Sequence, residues 1–180
     1  QEPDPKIAKH IKIIESEIQQ ANGIINEILT YSRQREMKTE RVKLNSWLEE
    51  LISVYPFPPH IEIIKQFDPA DPTLEIDTTE MQQALRNLIG NGIEVMPAPK
   101  PGKIMISTRI PEAGWVQINV ADAGAGIPPD VLDKIFAPFF TTKARGTGLG
   151  LAVVRKVIDR HKGHVDVESQ VGVGTVFKIY

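Results

Sequence analysis

The amino-acid sequence predicts an α+β fold: helices packed on one face of a mixed, mostly antiparallel sheet, preceded by one long amphipathic helix. Three observations lead there. Short strand-like runs fall in adjacent pairs, 103–110 with 115–121 and 164–169 with 175–180. Helix-like runs stand apart from these pairs, bounded by capping residues and prolines. A separate heptad repeat opens the chain. Successive strands pair as hairpins, and detached helices then cover one side of the sheet.

The opening helix is read from Ile7, Ile11, Ile14, Ile18, Ala21, Ile25 and Ile28, whose spacings of 4 and 3 make a seam over three heptads. Lys12, Glu15, Glu17, Gln19 and Gln20 fill the other faces. At ~1.5 Å per residue the seam is about 32 Å long. Such a stripe cannot be hidden by the helix alone: whether a coiled-coil linker or half of a dimerising helical hairpin, it is expected to meet a partner chain. The charged stretch from Arg33 to Arg41 marks a domain boundary, with residues 1–36 on one side and 37–180 on the other.

A short strand, 41–44, comes next. Asn45 or Ser46 is placed to cap a helix running through Val54, which Pro56, Pro58 and Pro59 end. Strands follow at 61–67 and 74–76. Thr78 or Thr79 is placed to cap a helix reaching about Met96, stopped by Pro97 and Pro99. The strands 103–110 and 115–121 are joined through Glu112-Ala113-Gly114. A loop rich in glycine and proline precedes a helix from about Gly148 to Arg160. The final two strands flank a glycine-rich turn. The sequence holds no internal repeat and no low-complexity tract.

Bulk properties narrow the function. The 180 residues carry a formal net charge of −2, which offers neither a nucleic acid nor a membrane surface an attractive field. With no cysteine there is no disulfide framework and no thiolate metal site, which fits a cytoplasmic location. No apolar run approaches the roughly 20 residues needed to span a bilayer. The chain starts at Gln1 with no signal peptide, and is read as a piece of a longer protein whose sensor or membrane part lies upstream.

Three stretches carry chemistry. The first is Gly146-Thr147-Gly148-Leu149-Gly150-Leu151, directly before an apolar helix. Its glycines let the backbone approach a phosphate, and the helix start offers free N–H groups and a positive dipole end. No Lys-Ser or Lys-Thr follows, so it is not a Walker loop. It follows a loop rather than a strand, so it is not a dinucleotide fingerprint. A plain glycine-rich lead-in to a helix is the alternative. The second stretch is Asp122-Ala123-Gly124-Ala125-Gly126-Ile127-Pro128, at a strand end. Its carboxylate can accept from an exocyclic amine such as adenine N6, with the glycines leaving room for a flat base. A turn whose Asp bonds its own backbone is the alternative. The third stretch is the stripe Gln83, Asn87, Asn91 and Glu94, with Leu85, Leu88 and Val95 on the opposite face toward the sheet. Asparagine oxygens are hard ligands that suit Mg²⁺ shared with phosphates. An exposed polar face is the alternative.

Taken in order, these blocks resemble the catalytic ATP-binding domain of sensor histidine kinases. Asn87-Leu88-Ile89-Gly90-Asn91, Asp122 to Pro128, Phe136-Ala137-Pro138-Phe139-Phe140 and Gly146 to Leu151 look like that family's asparagine, first glycine, phenylalanine and second glycine boxes. Ser169 to Phe177 resembles its closing hairpin, and the match runs from about Arg41 to Tyr180. The resemblance implies a Bergerat-type two-layer α/β sandwich holding Mg-ATP. It implies that Asp122 binds adenine and that Asn91 ligates Mg²⁺ with Asn87 assisting. It gives Gly146, Gly148 and Gly150 to the phosphates and places Thr175 near the base. Lys143 would meet the terminal phosphates. Glu94, Gly124, Gly126, Ile127, Phe139, Thr142, Thr147, Leu149 and Leu151 complete the implied nucleotide-contacting set. Only five residues separate Phe140 from Gly146, a short lid that resembles the nitrogen-regulation type.

The opening helix resembles the second helix of the family's dimerisation and phosphotransfer hairpin, which implies a homodimer. The acceptor histidine of that family is followed by an acidic residue. The four histidines here are followed by Ile11, Ile61, Lys162 and Val165, so the acceptor is expected elsewhere. His10 is then a solvated helix position, and His161 and His164 belong to a helix-to-strand turn. Gly92 stands where the family usually has Ala; it costs about 1 kcal/mol of helix propensity and is not expected to touch a proposed ligand. The implied reaction is γ-phosphoryl transfer to a histidine supplied in trans, and onward to a response-regulator receiver domain. One alternative is a water-activating ATPase of the same fold, which needs a Glu where this chain has Asn87. Another is a non-catalytic nucleotide-binding or dimerisation module, whose mark would be losses at Asp122, Asn91 or the glycines.

Overall fold

A computed structural model of the chain describes residues 5–32, 36–112, 114–143 and 146–180. Helix α1 is Pro5–Ser32, α2 Leu44–Val54, α3 Thr78–Glu94, α4 Pro129–Leu132 and α5 Gly150–Arg160. The strands are β1 Glu40–Lys43, β2 Ile61–Gln66, β3 Thr73–Ile76, β4 Gly102–Arg109, β5 Gln117–Asp122, β6 Val165–Gln170 and β7 Gly174–Ile179. The main sheet has the order β2-β4-β5-β7-β6. Its β2–β4 pair is parallel and the other three pairs are antiparallel. Strands β1 and β3 form a separate antiparallel ribbon. This is the mixed, mostly antiparallel α+β arrangement that the sequence predicts.

Period-two alternation decides which side chains meet the helices. Ile104 and Ile106 on β4, Ile118 and Val120 on β5, and Phe177 and Ile179 on β7 share the inner face and are all buried. Leu48 of α2, Leu85, Leu88 and Ile89 of α3, and Val154 and Ile158 of α5 close over them, each at 0–1% exposure. Burying one such side chain contributes roughly 1.5–3 kcal/mol, so this layer contact holds the helices to the sheet. The opposite face keeps polar pairs such as Ser107 and Asn119, bonded at 3.1 Å. The inner row of β5 ends on Asp122, opposite Thr175 on β7. Alternation therefore delivers a carboxylate to the helix side of the sheet where the strand stops.

Several local expectations are corrected. Neither Asn45 nor Ser46 caps α2. The helix starts at Leu44, and Asp71 reaches across to accept from the Asn45 backbone N–H (2.8 Å) and the Ser46 hydroxyl (3.2 Å). A distant acid therefore does the work of a local cap. Helix α3 is capped by Asp77 rather than by Thr78 or Thr79, its Oδ1 accepting from the Glu80 N–H at 3.1 Å. That helix ends at Glu94 with Val95 as C-cap, short of Met96. Val95 packs against the core over Gly124, just past the end of β5, and is half-buried where Leu85 and Leu88 are fully buried. The loop after Asp122 hides the one-turn helix α4, which the sequence reading passed over. Strand ends move by one or two residues, as with 117–122 for 115–121. The joint at Glu112-Ala113-Gly114 includes Ala113, which lies outside the described residues, as do Arg33, Gln34 and Arg35 of the proposed boundary.

The heptad helix is present as α1, and Ile7, Ile11, Ile14, Ile18, Ile25 and Ile28 are 45–57% exposed. His10 is exposed, as expected. Among the described residues no helix is long and apolar enough to cross a membrane.

Candidate functional site: a cleft between two helices and two glycine loops

A cleft of about 420 Å³ opens between α3, the start of α5 and the inner ends of β5 and β7. Helix α3 lends Asn87, Asn91 and Glu94 to one wall. The floor is Asp122 with Thr175 beside it, Gly126 and Ile127 form an edge, and Thr142, Lys143, Gly146, Thr147 and Gly148 close the far side with Gly150 and Leu151. Three residues from the sequence reading are placed elsewhere. Gly124 lies beneath Val95, where an added Cβ would be 2.3 Å from the valine methyl. Leu149 is 1% exposed in the protein interior, and Phe139 is 67% exposed.

Each wall has a local cause. The first glycine loop is fastened to the β6–β7 turn. The Ser169 hydroxyl accepts from the Ile127 N–H (2.7 Å), and the Gly172 N–H donates to the Ala125 carbonyl (2.8 Å). Gly126 has φ +72°, and a Cβ there would come within 2.2 Å of the Gln170 carbonyl oxygen; only glycine fits both demands. The second glycine loop is pinned where Phe139 N–H donates to the Gly148 carbonyl at 3.0 Å. Gly148 has φ +70°, and its Cβ would meet the Phe139 carbonyl carbon at 2.5 Å.

Asp122 Oδ1 accepts from the Gly124 N–H at 2.9 Å. The self-bonding turn and the binding carboxylate are thus one residue: the turn uses Oδ1 and fixes the direction of the group. Burial pushes the Asp122 carboxyl above its ordinary 3.8, against the pull of the Gly124 and Thr175 N–H groups. Gly92 faces this carboxylate. A Cβ there would lie 3.2 Å from Asp122 Cβ and 3.8 Å from Oδ2, which corrects the expectation that Gly92 is remote from every proposed ligand.

Asn87 is a brace as much as a wall. Its amide donates to the Gly150 carbonyl at 3.0 Å, tying α3 to the first residue of α5. Asn91 presents Oδ1 to the cleft mouth, where it accepts from Lys143 Nζ at 2.9 Å, and Lys143 also pairs with Glu94.

The cleft has contributors that the sequence reading missed. Phe177 follows from Thr175 by the same alternation, two residues along β7, and was legible. Ile135, Phe140 and Val131 make an apolar side that only the packing of the loop around α4 reveals. Arg86 borders the mouth with its guanidinium 5.6 Å over the Tyr55 ring. Gly23 of α1 borders it as well.

The family of histidine kinase-, DNA gyrase B-, and HSP90-like ATPases matches residues 76–180, which takes in every wall of this cleft except the α1 glycine. The chain belongs to that family. Solved structures place it with the ATP-binding domains of histidine kinases. It is similar to the nucleotide-free catalytic domain of histidine kinase ThkA, with a TM-score of 0.70 and 35% identity over 79% of this chain and 94% of that one. It is also similar to ThkA in complex with response regulator protein TrrA, with a TM-score of 0.81 and 33% identity over 98% of this chain and 52% of that one. Among curated relatives, the signal transduction histidine-protein kinase AtoS of Escherichia coli (strain K12) is 33% identical over 99% of this chain. The sensory histidine kinase/phosphatase NtrB of Vibrio alginolyticus is 29% identical over 99% of it. The chain spans 30% of AtoS and 53% of NtrB.

Proposed function

We propose that this histidine-kinase-type domain holds Mg-ATP in the cleft and donates the γ-phosphoryl group to a histidine presented from another segment or chain. The observation that carries the reading is the convergence on one cleft of a half-buried, directed carboxylate (Asp122), an asparagine oxygen (Asn91) and a glycine loop at a helix start (146–150). These match the three parts of the nucleotide. Asp122 accepts from the adenine amine, with Thr175 beside it and Ile127, Ile135 and Phe177 as the apolar faces of the base site. Gly146, Gly148 and Gly150 pass the phosphates along the start of α5. Lys143 reaches the terminal phosphates as a point charge.

Among the described residues no cluster of three or more His, Cys, Asp or Glu side chains could hold a metal. The few oxygens that Asn91 and its neighbours offer suit a hard cation that takes its other ligands from phosphates and water. Such an ion would supply neutralisation of phosphate charge. Phosphoryl transfer depends on alignment and charge neutralisation more than on covalent help from the protein, and the chain's share is to orient ATP and exclude water.

The four histidines support an acceptor held elsewhere. His161 uses both ring nitrogens, at the Asp77 N–H (2.9 Å) and the Val157 carbonyl (2.8 Å). His60 bonds the Met96 carbonyl, and His164 stacks on Tyr180. His10 lies on α1, away from an acidic successor. In this reading residues 1–36 belong to the dimerisation hairpin and 37–180 to the catalytic domain, in a cytoplasmic part of a homodimeric kinase. The complex of ThkA with TrrA supports a receiver domain as the next phosphoryl acceptor. Mixing the chain with labelled Mg-ATP and a separate histidine-bearing hairpin tests the assignment. Acid-labile label on that histidine is expected, and an unlabelled hairpin despite intact ATP binding would overturn it.

A further inference from the structure

Glu94 is an odd presence in a cleft that receives a polyanion. It lies one turn beyond Asn91 on α3, at the cleft mouth, with its side chain 63% exposed. An unpaired carboxylate there repels phosphates, so the site needs a cation beside it at every stage. Lys143 supplies that cation: its ammonium is shared between Glu94 and Asn91 Oδ1, which ties the lid to α3 across the mouth. Two further bonds hold Lys143: the Thr141 hydroxyl accepts from its N–H at 3.1 Å, and the Gly146 N–H donates to its carbonyl at 3.4 Å.

We propose that Glu94 is a positioning residue for Lys143, and that Asn91 and Glu94 together form an exchangeable catch for one cation at a time. This rests on the reading of Asn91 as the Mg²⁺ ligand. Asn91 Oδ1 cannot serve an ammonium and a divalent cation at once without placing the two positive charges side by side. With a divalent cation on these oxygens, Lys143 would be released, leaving its ammonium free to meet the phosphates. The strength of the catch suits this role. The pair is exposed on both sides, so it is weak and screened, and it yields to a doubly charged competitor. Glu94 keeps its negative charge balanced before and after the exchange, which explains a carboxylate where the phosphates arrive.

The test reads the ammonium directly. Lysine-selective acetylation followed by mass spectrometry gives the labelling rate of Lys143, with Lys103, paired to Glu62 on the exposed edge of the sheet, as internal reference. Without nucleotide, Glu94→Gln should raise Lys143 labelling about two- to fivefold, the range of an exposed ion pair, and leave Lys103 unchanged. Millimolar Mg²⁺ alone should raise Lys143 labelling in the unaltered chain and do less in Glu94→Gln. A nonhydrolysable Mg-ATP analogue should protect Lys143 again in both. Equal Lys143 labelling in the two proteins, or a rate indifferent to Mg²⁺, would overturn the catch. Calorimetry on the same samples separates this from failure of the site assignment. If the unaltered chain binds the analogue with Mg²⁺ dependence while labelling ignores Glu94, only the catch is wrong. If it binds no adenine nucleotide, the assignment falls and the catch with it.

Discussion

The floor of the cleft and its lid are built on different principles. The floor is over-determined: Asp122 is oriented by the Gly124 N–H, faced by Gly92 and flanked by Thr175 on the neighbouring strand. Its edge loop is locked onto the β6–β7 turn by one backbone bond, by the Ser169 hydroxyl and by Gly126, which no other residue can replace without a clash. The lid is pinned only at its base, and its functional tip is held by a side chain pair exposed to water. On the proposed assignment, a rigid, half-buried carboxylate would contribute affinity and selectivity for the base because its orientation is set before the ligand arrives. A weakly held lysine would contribute adjustability at the end where charge changes during the proposed reaction.

That contrast can be broken by substitution. The largest effect is expected at the lid's base. Gly148→Ala must adopt φ +70° with its Cβ 2.5 Å from the Phe139 backbone. The left-handed conformation alone costs about 1–2 kcal/mol, so the melting temperature should drop by roughly 4 °C or more, read by calorimetry. Next is the floor. Asp122→Ala removes a charged hydrogen-bond acceptor worth about 1.5–3 kcal/mol, so adenine-nucleotide affinity should fall about 10- to 100-fold. The same residue sets an acid limit. Its folded pKa is raised above 3.8, so the native state holds more proton than the unfolded chain in the window above 3.8. The group's contribution to stability therefore falls as pH rises through that window, whereas nucleotide binding falls as pH drops through it. Titrating affinity against pH should show this acid limb in the unaltered chain and lose it in Asp122→Ala. The smallest effect on affinity is expected at the lid tip: Lys143→Ala should weaken binding less than about fivefold, while phosphotransfer falls further.

The sequence made the cleft legible where period and spacing carry the information. Steps of 4, 4 and 3 put Gln83, Asn87, Asn91 and Glu94 on one stripe, and alternation brings Asp122 and Thr175 to one face. It was silent where long-range packing decides. The α2 cap comes from Asp71, 26 residues beyond Asn45, and no local signal points to it. Gly92 gives no hint that Asp122 is its neighbour, because the pairing depends on how α3 settles on β5. Ile135 and Phe140 reach the cleft only because the loop around α4 folds back. The α1 seam is the opposite case: its period is plain in the sequence, and its isoleucines are 45–57% exposed in the single chain. Leu85 and Leu88 of α3, almost fully buried, show what such a stripe does once covered.

The central claim is that Asp122 and Asn91 hold the two ends of one Mg-nucleotide. Isothermal titration of a nonhydrolysable ATP analogue, with and without Mg²⁺, into the unaltered chain and Asn91→Ala tests it directly. The account predicts tighter binding with Mg²⁺ in the unaltered chain, and an affinity in Asn91→Ala that ignores Mg²⁺ while adenine is still bound. Equal Mg²⁺ dependence in both proteins would contradict it.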